Sequence, residues 1–203
     1  MNIRLEQEKD YFNVEDLTRE AFWNVYRPGC MEHYVIHNLR KDKAFVKELD
    51  YVIEEDGKIV ASIFYAKANV KLENGEDKAV LIFGPVSVHP KYQHKGYGES
   101  IINYTLQKAK DLGYECVFIT GNPDYYKKYG FEPASKYGVY YEGMDKDDEA
   151  PFFMVKVLDD KKMEKIKGIY SDPSCYMVKD EEVDEYDKLF SSKIKEVKEG
   201  QLV

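Results

Sequence analysis

The run AVLIFGPVSV, Ala79 to Val88, is apolar at almost every position, and together with its C-terminal neighbours it constrains the fold more than any other stretch of the chain. Such a run is expected of a strand covered on both faces. Next comes a segment holding Gln93, Gly96 and Gly98, and then Ile101, Ile102, Leu106, Ala109 and Leu112 recur near helical spacing, with Gly113 placed to end a helix at about Leu112. Cys116 to Thr120 (CVFIT) is β-like again and is reached only through that helix, so it is expected to lie parallel to the first strand. Pro85 has no N–H for a ladder, so the first strand is either an edge or has its pairing broken there.

The flanking segments extend this α/β plan. Asn13 reads as an N-cap followed by Glu15 and Asp16, with Leu17, Ala21 and Phe22 at helical spacing, and a second helix is expected over Glu32 to Leu39. Asp56-Gly57 lies between two β-rich runs as a hairpin turn, and Glu73-Asn74-Gly75 marks a second hairpin. Gly121-Asn122-Pro123-Asp124 opens a short helix over Tyr125 to Tyr129 that Gly130 closes, and Phe152 to Leu158 reads as a last core strand. Beyond Asp159 charged residues dominate, with Val183, Tyr186 and Phe190 spaced for one amphipathic helix. That segment is too apolar and too periodic for a solvated tail, so residues 1–158 are expected to form one domain and 159–203 an extension packed on it.

Composition excludes several classes. With 203 residues, 43% of them hydrophobic, the chain can bury one ordinary core. The net charge of −8 repels a phosphate backbone and tells against nucleic acid. No apolar run reaches the ~18 residues of a membrane span, and the N-terminal segment has no apolar stretch of signal-peptide length. Cys30, Cys116 and Cys175 are odd in number and far apart, which fits a reducing cytoplasm better than a disulfide framework. His33 and His37 stand four apart, a spacing known from metal sites; without a third ligand nearby they read as a surface pair, and no metal is expected. Homodimerisation stays open.

Gly96 and Gly98 allow left-handed or crowded backbone, which turns successive N–H groups toward a point ahead of a helix N-terminus. Such a point attracts anions, and Lys91, His94 and Lys95 add local positive charge. The alternative is a strand-to-helix connection that needs glycine for steric reasons alone. A dinucleotide fingerprint is excluded because Ser100 and Ile101 stand where its third glycine belongs, and the Walker pattern is absent.

VSVHPKYQHKGYGESII closely resembles the acetyl-CoA-binding motif of the GNAT superfamily of N-acetyltransferases, Gln/Arg-x-x-Gly-x-Gly/Ala after a central strand, with Gln93, Gly96 and Gly98 at its fixed positions. YYKKYGF, Tyr125 to Phe131, resembles a second family segment after the following strand. The resemblance covers about Met1 to Leu158 and is to bacterial predicted acetyltransferases that carry a C-terminal extension. It implies the GNAT fold, a mixed central β-sheet with two splayed parallel strands flanked by helices. It further implies acetyl-CoA as cosubstrate, Val86, Ser87 and Val88 offering backbone groups to pantetheine, and His94, Lys95, Gly96, Tyr97, Gly98 and Glu99 wrapping the pyrophosphate.

Acetyl transfer to a primary amine, of a small molecule or of a protein or peptide, needs a proton for the departing thiolate. Tyr126, four residues before Gly130, holds the position that the resemblance assigns to that donor, whereas Tyr125 and Tyr129 read as packing. The run Ala79 to Val88 carries no carboxylate to act as base. Glu48, Glu54 and Glu55 could act through water, yet Glu54-Glu55-Asp56 reads better as a solvated hairpin end and His89 as a turn residue, so no base is assigned. The missing strand carboxylate keeps a second reading open, an acyl-CoA-binding regulatory or interaction module with the same fold and little transferase activity.

Overall fold

The computed structural model describes residues 1–201; Leu202 and Val203, the end of the expected extension, lie outside the described residues. In chain order the elements are β1 (Asn2–Leu5), α1 (Tyr11–Phe22), α2 (Glu32–Leu39), β2 (Tyr51–Glu55), β3 (Lys58–Leu72), β4 (Asp77–Val88), α3 (Tyr97–Asp111), β5 (Cys116–Thr120), α4 (Pro123–Tyr126), β6 (Glu132–Pro133), β7 (Val139–Tyr141), β8 (Phe153–Val157), α5 (Asp160–Met163), β9 (Gly168–Ser171) and α6 (Asp180–Asp187). They form a mixed sheet of order β1-β2-β3-β4-β5-β8-β6, flanked by helices, with β9 paired to both β3 and β7.

The β2–β3 hairpin turns on Asp56 (φ 49) and Gly57 (φ 72), the two positive angles that a two-residue turn of the right twist requires. β4 lies between β3 and β5 and so is no edge. Among the described residues its parallel ladder to β5 covers Leu81↔Val117 and Ile82↔Phe118. Phe83 and Gly84 (φ 145) follow, and the N–H-less Pro85 lies beyond this ladder on a strand that is no edge.

The chain forms two compact units. The first comprises Met1–Phe64, Pro85–Ile102 and the residues from Ser174 on. Its core gathers Val14, Leu17, Ile36, Leu39, Leu49, Ile53, Ile63 and Phe64. α1 begins after Asp10, not Asn13; the Asp10 carboxylate closes the preceding turn by accepting Gln7 N–H at 2.9 Å and Arg4 Nη1–H at 2.6 Å. Arg40, directly after α2, reaches Glu6 Oε1 and Glu15 Oε1, each at 2.6 Å. α6 and the residues just after it lie against α1 and α2: Phe190 stacks on Phe12 at 5.0 Å, Tyr186 Oη donates to Glu15 Oε2 at 2.7 Å, and the Tyr186 ring meets His37 at 4.4 Å. Beyond α6 the described residues have no regular structure, yet Ile194 O accepts both Trp23 Nε1–H (2.9 Å) and Asn24 Nδ2–H (3.0 Å).

This docking overturns the surface pair expected of the two histidines. His33 is 0% exposed. Its Nε2 lies 3.4 Å from Asp187 Oδ1 and its Nδ1 3.4 Å from Cys30 Sγ. His37 is half-buried against Glu15 and Tyr186. Among the described residues no three His, Cys, Asp or Glu side chains gather as a metal site.

The second unit comprises Tyr65–Gly84 and Asn103–Pro173. Phe118, Phe153 and Tyr170 pack ring to ring, with 5.3 Å between Phe118 and Phe153 and 4.7 Å between Phe153 and Tyr170. β9 pairs antiparallel with β3 from Asn69↔Ser171 to Leu72↔Gly168 and parallel with β7. The charged segment that hides β9 in the sequence thus supplies a sheet strand as well as a helix.

Candidate active site

β4 delivers the chain into the glycine segment through a sequence of small anchors. His89 N–H donates to Val60 O at 2.9 Å, and its Nδ1 accepts Lys91 N–H at 3.2 Å, which makes it the cap of the turn Pro90–Tyr92. The Gln93 side chain turns back to donate Nε2–H to Val88 O at 3.1 Å, closing the loop on the strand it leaves. Lys95 Nζ donates to Lys91 O at 2.9 Å and lies 5.2 Å from the Tyr92 ring. Two residues then take positive φ, His94 at 60 and Gly96 at 87.

α3 starts at Tyr97, four residues before Ile101, the first of the periodic apolar positions. Ser100 N–H makes the bond to Gly96 O at 2.9 Å, so the N–H groups of Tyr97, Gly98 and Glu99 have no acceptor within the helix. Gly98 is therefore a first-turn helical residue without positive φ, and the left-handed turn belongs to His94 and Gly96, a division the two glycines alone did not reveal. A Cβ built on Gly96 would meet nothing within 4 Å, so the loop leaves open space at the turn. Of the residues expected to serve a pantetheine, Val86 and Val88 are half-buried, while Ser87 is buried with its hydroxyl donating to Thr18 Oγ1 at 3.0 Å.

The other candidates are accounted for nearby. Glu54 is held by Arg4 Nε at 2.9 Å and Glu55 by the terminal amino group at 2.9 Å. A cleft of about 520 Å³ opens in the first unit, walled by the Arg4–Asp10 pair, Glu54, Asn13, Lys58 and His89. Its lining stops at His89 and includes none of the loop residues beyond.

Tyr126 belongs to the second unit. Asn122 caps α4 by accepting Asp124 N–H at 2.9 Å, with Pro123 at the first helical position. The Tyr126 ring meets Phe83 at 5.8 Å and Phe131 at 5.9 Å, and Gly130 (φ 79) ends the turn. Gly121 matters here in a way the sequence reading missed: a Cβ on it would come within 2.6 Å of Tyr126 Cε2, so the glycine makes room for that ring. Tyr129 is buried and Tyr125 is 39% exposed.

Residues 2–134 match the family model described as Acetyltransferase (GNAT) domain. The chain belongs to this GNAT family. Among curated GNAT relatives, the uncharacterized N-acetyltransferase YhbS of Escherichia coli (strain K12) is 26% identical over 135 residues, 66% of this chain and 75% of YhbS. The uncharacterized N-acetyltransferase YjhQ of the same organism is 29% identical over 101 residues, half of this chain and 55% of YjhQ. The GNAT fold is shared with the crystal structure of Escherichia coli YhbS in complex with CoA, at a TM-score of 0.74 and 23% identity over 86% of this chain and 91% of that one. A GNAT acetyltransferase from Brucella melitensis in complex with acetyl-CoA gives 0.69 at 23% identity, covering 87% and 97%. No helix among the described residues is long and apolar enough to cross a membrane.

Proposed function

We propose that the protein transfers the acetyl group of acetyl-CoA to a primary amine of a small molecule, protein or peptide. The observation that carries this reading is the start of α3, where three backbone N–H groups without helical acceptors follow a left-handed turn at His94 and Gly96. A diphosphate fits such a start, because the N–H groups and the helix dipole both favour negative charge. On this reading the backbone from His94 to Glu99 holds the pyrophosphate. Glu99 takes part through its N–H, since its carboxylate beside a diphosphate gives nothing. Val86, Ser87 and Val88 present their backbone groups to the pantetheine amides. Residues 1–158 then make up the acetyltransferase domain and 159–203 its extension.

Acetyl-CoA supplies an activated carbonyl and a thiolate leaving group. As the amine nitrogen bonds to that carbon and the C–S bond breaks, Tyr126 gives its phenolic proton to the sulfur, the proton shed by the nitrogen passes to water, and water reprotonates the phenolate. A phenol of ordinary pKa about 10 can serve a thiol of about 8.5 because the thiolate forms only transiently.

The test is twofold. Acetyl-CoA should raise the melting temperature while ATP and NAD at equal concentration do not, and Gly96→Val should abolish most of that rise. A panel of amines should then release CoA thiol. Saturable binding with no amine-dependent release would identify an acyl-CoA-binding module instead, and an equal response to ATP would remove the acetyl-CoA assignment.

A further inference from the structure

β4 is hydrogen-bonded to β3, but Pro85 gives no backbone donor, and further bonds add to the hold on the segment after it. Three bonds of the first unit do so. His89 N–H reaches Val60 O at 2.9 Å, the Gln93 amide reaches Val88 O at 3.1 Å, and the Ser87 hydroxyl reaches Thr18 Oγ1 on α1 at 3.0 Å. The last is made by a side chain of the segment itself. Ser87 and Thr18 are both 0% exposed. Pairing is not what every buried serine receives here: Ser62 on β3 is equally buried, and among the described residues its hydroxyl has no partner.

Thr18 is also a rigid partner. Three residues before it, Glu15 accepts Arg40 Nη1–H at 2.6 Å, and directly after it Arg19 is held by Asp187 at 2.6 Å. A shift of Val86–Val88 along or away from α1 would leave a buried hydroxyl unbonded, which interiors resist. We infer that Thr18 is a positioning residue for acetyl-CoA, acting through Ser87 to fix the backbone that meets the pantetheine arm, an inference that rests on the acetyl-CoA reading above. Thr18 touches no part of the cosubstrate on this account.

Thr18→Val keeps the shape of the side chain and removes the acceptor. Isothermal titration should show acetyl-CoA bound about tenfold more weakly, the size of a lost neutral hydrogen bond. Adenosine 3′-phosphate 5′-diphosphate, which has the pyrophosphate but no pantetheine, should bind as it does to wild type. Thr18→Ser should restore acetyl-CoA affinity, and adding Ser87→Ala to Thr18→Val should weaken it no further. Should Thr18→Val fail to fold, Ser87→Ala, which removes the donor, carries the same two-ligand comparison. Unchanged acetyl-CoA affinity in the folded variant, or equal weakening of both ligands, overturns the inference. A wild type that does not bind acetyl-CoA overturns the underlying reading with it.

Discussion

Asp187 on α6 grips the fully buried guanidinium of Arg19 on α1 at two points, Oδ1 2.6 Å from Nε and Oδ2 3.0 Å from Nη2. The Trp23 ring covers the same guanidinium at 4.3 Å. Removing the carboxylate would strand a buried cation, so Asp187→Ala is expected to cost about 3 kcal/mol or more. Urea titration followed by the emission of Trp23, the chain's one tryptophan, should show an earlier midpoint with an unchanged slope.

His33 makes the same region acid-sensitive. Burial is the main cause that lowers its pKa from 6.5 to about 4, opposed by Asp187 and reinforced by Arg19, His37 and Lys195, with Cys30 Sγ at the other ring nitrogen. The folded state therefore holds fewer protons than the unfolded one below pH 6.5, and stability falls as the pH drops from about 6.5 toward 4, by at most about 3 kcal/mol. Asp50 works in the opposite sense: burial first, then Glu6, raises its pKa, and protonation favours the folded state. Comparing wild type with His33→Gln isolates the histidine. The difference in unfolding free energy should shrink with acid, and a constant difference from pH 7 to 4.5 would contradict it.

Gly168 sits where β9 meets β3. Its φ is 153, and an added Cβ would lie 1.9 Å from Lys71 O and 2.8 Å from Lys71 C, both backbone atoms. Gly168→Ala must therefore push the strands apart, and a loss of about 3 kcal/mol is expected. Gly57→Ala is the control, for Gly57 also has positive φ but nothing within 4 Å. It should cost only about 1 kcal/mol in thermal or urea unfolding.

Tyr126→Phe removes one hydroxyl and leaves the ring against Phe83 and Phe131. If that hydroxyl supplies the proton, turnover with a working amine should drop about 100-fold while acetyl-CoA affinity holds. Tyr125→Phe and Tyr129→Phe should stay near wild type. Wild-type turnover in Tyr126→Phe, with chemistry limiting, would assign the proton to another group or to water.

The strand, loop and helix around Gln93 were legible because a continuous apolar run gives way to helical spacing across two glycines. Periodicity carries that much without any partner. β1, β7 and β9 were not legible: NIRL, VYY and GIYS are short, and their pairing is decided by ladders to distant strands such as Lys71↔Ile169. The histidine pair was misjudged for the same reason, since the element that buries His33 lies about 150 residues further on in the chain. Among the candidate residues, Gln93 and Gly96 stood out by type, whereas Thr18 and Gly121 matter only through their neighbours in space, each within its own unit.

The grip of Asp187 on Arg19 spans 168 positions of sequence, which sets a schedule for synthesis. At the usual 5–20 residues per second, a ribosome needs roughly 10 to 30 s between adding the arginine and adding its counter-charge. β3 waits in a similar way, because the far half that pairs β9 has no cover on that side until Ser171 has been made. A nascent chain of this protein therefore carries an uncompensated cation and an open strand edge throughout that interval. Its completed fold can form only after Ser171 and Asp187 have emerged.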